Sequence, residues 1–165
     1  MSELATLHAA LTATIREAMP ELASVDAYAA VGNDAALPAL RHGIVRMTAD
    51  AAPRDGRSVL FTTFEADITT DAGNPEARLQ GSVLAAQLVD LLRQQLWGLD
   101  FVEASRNVRA YLSGANWKVR WEQPVLLGEA QWHWPDEPPG SLMLGIAPDT
   151  GAGNQDKYFA PGDLA

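Results

Sequence analysis

Apolar residues recur at steps of three and four through the first segment, at Leu4, Leu7, Leu11, Ile15 and Met19. Thr6, Thr12, Thr14, Arg16 and Glu17 fill polar positions between them. That is the period of an amphipathic helix. Ser2 stands where an N-cap belongs, and Pro20 ends the run. Residues 24–31 (SVDAYAAV) are compatible with a short strand, and GNDAALPAL after them reads as a loop punctuated by Gly32-Asn33 and Pro38.

The period then shortens to two. Ile44 to Ala49 reads as an extended segment, Asp50–Ser58 as a polar connector with an Asp55-Gly56 turn, and VLFTTFEADITT as a second extended segment. In the last, Leu60, Phe64, Ala66 and Ile68 fall on one face, with Thr63, Glu65, Asp67 and Thr69 on the other. The pair predicts a long β-hairpin. Asp71–Pro75 closes it.

Helical spacing returns over Glu76 to Trp97, with apolar Leu79, Val83, Leu84, Leu88, Leu91, Leu92 and Leu96. Gln80, Gln87, Asp90, Arg93 and Gln94 form the opposite face. Asn74 is the expected cap, Pro75 the first helical residue and Gly98 the stop. At about 1.5 Å per residue such a helix spans about 33 Å. Phe101 to Leu112 is rich in strand formers but ambiguous in period. After a turn at Ser113–Asn116, Trp117, Val119, Trp121, Gln123 and Val125 alternate with Lys118, Arg120 and Glu122. Pro124 demotes this strand to an edge or places a bulge in it.

Two helices and two hairpins predict an α+β domain over residues 1–132: an antiparallel sheet with both helices packed on one face. Residues 133–165 differ in kind. They hold five of the ten Pro and five of the thirteen Gly, yet retain the apolar runs Leu142–Ile146 and Tyr158-Phe159. An extended acidic arm that folds on a partner fits this composition.

Charge narrows the partners. In 165 residues, 21 Asp and Glu face 12 Lys and Arg, giving a net charge of −9. No basic run exists to hold phosphates, which argues against a nucleic-acid surface. Trp117 and Trp121 mix with Lys118 and Arg120, but alternation places rings and charges on opposite strand faces. The absence of Cys excludes disulfides, thiolate metal sites and cysteine nucleophiles. The N-terminal segment lacks the form of a signal peptide, and no apolar run is long enough to span a membrane, so a soluble intracellular protein is expected.

Catalytic chemistry finds little foothold. His8, His42 and His133 have no second ligand at metal spacing, and His8 reads as a helix-surface residue. Asp149 to Asp156 lacks the turn glycine and the bidentate Glu of a calcium loop. Gly151-Ala-Gly153 lacks the third glycine and the strand–helix frame of a dinucleotide fingerprint. Ser82 and Ser141 lack a nucleophile elbow. Glu65 and Asp67 share a strand face and read as a solvated or partner-facing side rather than an acid/base pair. No catalytic, metal or cofactor residue is therefore assigned. The mixed-charge turn residues Arg54, Asp55 and Arg57 suit protein contacts. Trp132 and Trp134 at the start of the arm, with Tyr158 and Phe159 within it, are candidate partner-binding anchors.

The order of these features resembles the tail terminator (tail-completion) proteins of long-tailed and Mu-like phages. The resemblance covers about residues 3–132. It rests on the N-terminal helix, LPALRHGIVRM entering a strand, RSVLFTTFEADITTD followed by PEARLQGSVLAAQLVDLLRQQLWG, and WKVRWEQPVLLGE near the domain end. It implies a non-enzymatic virion protein that forms a homo-hexameric ring at the neck of the tail after assembly in the host cytoplasm. Such a ring caps the tail tube protein, stops its polymerisation and offers a surface to the head–tail connector. DNA passes through without specific binding, to which an acidic lumen is suited. The arm departs from the shortest members of that family. Rival readings are a head–tail connector or other minor tail protein and, in another class, a small bacterial binding or enzymatic domain.

Overall fold

The computed structural model describes residues 2–28, 36–130, 144–148 and 153–160. The chain divides into two compact units, Met1–Trp132 and His133–Ala165. The first contains α1 (Glu3–Ala18), β1 (Ser24–Ala27), β2 (Ala39–Ala49), β3 (Ser58–Thr69), α2 (Ala77–Leu91), β4 (Arg106–Ser113) and β5 (Asn116–Leu127). Two helices and one five-stranded sheet make it an α+β fold, with strand order β1-β2-β3-β5-β4.

The sheet is mixed rather than wholly antiparallel: β1 runs parallel to β2, and the other three pairings are antiparallel. Eleven residues, 28–38, separate β1 from β2 in the chain, enough length to pair the two in parallel, which a two-residue turn forbids. β2 also starts five residues earlier than its alternation suggested, taking in His42.

One face of the sheet carries the core. Leu7, Leu11 and Ile15 of α1 and Leu84, Ala85 and Leu88 of α2 meet Leu40, Phe64, Ala66, Ile68, Val119, Trp121 and Val125 in a single cluster. Phe64 and Trp121, cross-strand partners, stack with ring centroids 5.2 Å apart. Ser2 caps α1 through its hydroxyl, and the Glu3 carboxylate accepts the Gly128 N–H at 3.0 Å, tying the helix start to the end of β5.

Helix α2 is shorter than its apolar period implied. It begins at Ala77, and Asn74 instead accepts the Glu76 N–H at 2.9 Å in the preceding turn. It ends at Leu91 because Gln94 and Trp97 take positive φ of 56° and 58°, which folds the next turn back on the sheet. Ser105 satisfies that end, donating to the Leu92 carbonyl and accepting from the Gln95 N–H. The buried stripe is Gly81, Leu84, Ala85 and Leu88, while Leu79 and Val83 are 64% and 48% exposed. Gly81 sets this rotation: a Cβ there would lie 3.0 Å from the Trp117 ring, so the helix presents its small residue to the indole.

Pro124 lies in an interior strand, not at an edge. Its carbonyl accepts from Glu103, so the missing N–H also points toward the β4 side, where regular pairing has already ended at Arg106–Glu122. The neighbouring Gln123, fully buried, accepts the Trp97 indole N–H at 2.8 Å and donates to the Gln95 and Glu103 carbonyls.

In the second unit, Leu144 and Phe159 exchange backbone hydrogen bonds of 2.8 and 3.1 Å around a 3-10 turn at Gln155–Lys157. No described helix is long and apolar enough to cross a membrane.

Candidate functional site

Strand alternation sends to the sheet's second face every residue that does not enter the core. Among the described residues no helix packs on this second face, and the strand register arranges it in transverse rows. Asp26, Arg41, Asp67, Lys118 and Tyr111 form one; Gly43, Glu65, Arg120 and Arg109 the next; Arg46, Thr63, Glu122 and Arg106 the third.

Two bulges decide who joins the third row. In β2 the register shifts between Ile44 and Arg46, so that Arg46 opposes Thr63. Without the extra residue, Arg46 would point with Ile44 into the core. In β4 the register shifts between Arg106 and Arg109, with Asn107 at a φ of 54°. Three residues apart, these arginines would otherwise face opposite ways; the bulge brings both onto the open face. Bulges re-aim side chains in this manner.

Glu65 is the hub. Its side chain is 13% exposed and accepts from Lys118 at 2.7 Å, from Tyr111 at 2.8 Å and from the Arg120 guanidinium, whose Nε lies at 3.0 Å. Burial alone pushes the carboxyl up, but the hydrogen bonds from Lys118, Arg120 and Tyr111 outweigh it and hold the pKa at about 2. The same contacts raise Lys118 and Tyr111. Asp67 lies 3.7 Å from Lys118 and accepts from Asn116.

Beside this hub opens a cleft of about 630 Å³, lined by Arg46, Thr63, Asn107, Arg109, Arg120 and Glu122 among others. A smaller hollow continues past Arg46 to Phe61 and Arg106. Arg106 stacks on Phe61 at 4.4 Å and pairs with Glu122 at 3.5 Å. Arg46 and Arg109 are exposed and form no ion pair among the described residues. Arg109 stands directly across from Arg120, a like-charge pairing that sheets ordinarily avoid. Four arginines against two glutamates make this part of the surface net positive on a chain of net charge −9.

The expected contact residues fall elsewhere. Arg54 and Arg57 flank a tight turn with Asp55 and Gly56 at φ of 47° and 84°. Their charges are met within the chain: Arg57 by Asp55 at 2.6 Å, Arg54 by Glu103 and by Asp50 at 3.4 Å. Tyr158 and Phe159 belong to the second unit, where Phe159 bridges Leu144 and Tyr158 lies over Gly145. Trp132 and Trp134 lie outside the described residues.

His8 is not the surface residue its spacing suggested. It is half-buried, stacked on His42 with centroids 5.5 Å apart, and its Nε2 meets the Tyr28 hydroxyl at 3.1 Å. His42 bonds Thr12 at 2.9 Å and is 2% exposed. Burial, then the proximity of His8, pushes its pKa down to about 4, against a small opposing pull from Asp26. A neutral, packed histidine pair of this kind is a core feature. No cluster of metal-ligating side chains occurs among the described residues.

The arginine cleft escaped the sequence reading because the bulges break alternation. The ambiguous period of Phe101 to Leu112 was its trace. No protein-family model matches the chain, and neither does any curated protein.

Proposed function

We propose that this chain is a phage tail terminator: a virion protein that assembles as a homo-hexameric ring, caps the tail tube and receives the head connector. The observation that carries the reading is the one-sidedness of the sheet. Among the described residues all helical cover lies on one face, while the other is a charged, largely polar surface whose arginines without ion-pair partners call for one. Its chemistry suits assembly better than catalysis. A general acid or base works best with a pKa near the operating pH, whereas Glu65 is locked as a carboxylate at about 2 by hydrogen bonds from three side chains.

In a ring that DNA traverses, a net-positive face would hold phosphates and impede sliding. The open face therefore belongs to subunit or tube contacts, and the lumen to the acidic remainder of the surface. Deleting the gene in its parent phage tests the reading. Overlong, headless tails are the expected phenotype. Tails of normal length, or infectious virions, would overturn it.

A further inference from the structure

The cationic cleft and the acidic composition of residues 133–165 are complementary parts of one chain. Of the 21 Asp and Glu, that segment holds Asp136, Glu137, Asp149, Asp156 and Asp163, against Lys157 as its one basic residue. We propose that the cleft is the acceptor for residues 133–165 of a second copy of this chain, with carboxylates of the incoming segment bound by Arg46, Arg109 and Arg120.

Three features of the cleft fit that occupant. First, both bulges give up a regular ladder position to bring arginines together, and Arg46 and Arg109 then meet no carboxylate among the described residues. Planar guanidinium forks match carboxylates bidentately, and a carboxylate between Arg109 and Arg120 would relieve their repulsion. Second, the cleft is open. It runs on past Arg46 into the hollow at Phe61 and is flanked by exposed Val45, which a small anion would leave uncovered. A polypeptide carrying both carboxylates and apolar side chains covers both. Third, a contact between two different surfaces of identical copies is head-to-tail, and such contacts generate rings when the rotation closes. The inference thus deepens the ring reading by naming which surfaces meet, although association through them does not depend on a role in a tail.

Rim-exposed pairs are individually weak and screened by salt, so several must act together. Sedimentation of the full chain should show association at about 50 mM salt that weakens at least tenfold by about 500 mM. The decisive test is a charge exchange. R46E/R109E and D136K/E137K/D149K, each alone, should associate at least about tenfold more weakly than the wild type, and an equimolar mixture of the two should associate again. Because Arg46 and Arg109 are exposed, form no ion pair among the described residues, and Arg109 faces Arg120, their reversal should not lower the urea midpoint. Should it fall, R46Q/R109Q replaces it with the same expected loss of association.

A wild-type chain that stays monomeric at both salt concentrations, arm variants that associate normally, or a mixture that fails to recover would each overturn the proposal. So would inorganic phosphate titrating the cleft while self-association proceeds undisturbed. If charge exchange succeeds but gene deletion leaves tails normal, the terminator reading fails and this interface stands. Overlong tails with a failed exchange leave the terminator and remove the interface.

Discussion

Replacing Glu65 by glutamine should flatten the acid limb of the stability profile, and the size of the effect follows from its partners. A folded pKa of about 2 against an ordinary 4.5 corresponds, at about 1.36 kcal/mol per pKa unit, to about 3 kcal/mol. Lys118 and Arg120 are 27% and 34% exposed, so solvent screening reduces this to about 2 kcal/mol. Because the folded value is depressed, the contribution is complete above the unfolded pKa and disappears as pH falls from 4.5 toward about 2. Glutamine keeps the shape and accepts one hydrogen bond but cannot titrate. Urea unfolding of both proteins at several pH values measures the difference directly. Wild type should exceed E65Q by about 2 kcal/mol at neutral pH, and the gap should close in strong acid. A gap that stays constant with pH would mean that shape, not charge, explains the loss, and would refute the electrostatic argument.

His42 gives the opposite kind of group a similar sign. Its pKa is lowered from 6.5 to about 4, so the neutral form is favoured and stability of about 3 kcal/mol is lost as pH falls through that interval. NMR titration of the ring should give a midpoint near 4; a midpoint near 6.5 would contradict its burial. Gln123→Leu should cost about 2–4 kcal/mol in urea unfolding, since it orphans the Trp97 indole and the Glu103 carbonyl, while the Gln95 carbonyl keeps the Ser105 N–H; an unchanged midpoint would mean these groups find other partners. At the β4 bulge, Asn107→Val should destabilise by about 1–2 kcal/mol while Asn107→Gly does not, because the backbone there has a φ of 54°. Asn107 also donates to the Glu122 carboxylate at 2.6 Å, and equal losses in both variants would place the cost in that hydrogen bond instead.

Legibility followed the regularity of the backbone. Leu7, Leu11 and Ile15 keep a helical period, and each is fully buried. Phe64, Ala66, Ile68, Val119 and Trp121 keep a period of two and form the sheet side of the core, with Lys118, Arg120, Glu65 and Asp67 opposite. Where a residue departs from its period, reading along the chain fails. Leu79 and Val83 have the right spacing for a core they do not enter, since the contact between Gly81 and Trp117 rotates α2 away from them. His8 has a surface neighbour pattern but is drawn inward by His42, thirty-four positions later.

The α+β class, the amphipathic first helix and the two-faced strands were therefore determined by local pattern alone, because burial of one face imposes a period on the sequence. Strand order, the parallel entry of β1 and the gathering of Arg46, Arg106 and Arg109 on one surface were decided only in the tertiary structure. Each depends on register between segments far apart in the chain. A single inserted residue in one strand reverses the facing of its side chains without leaving a periodic mark.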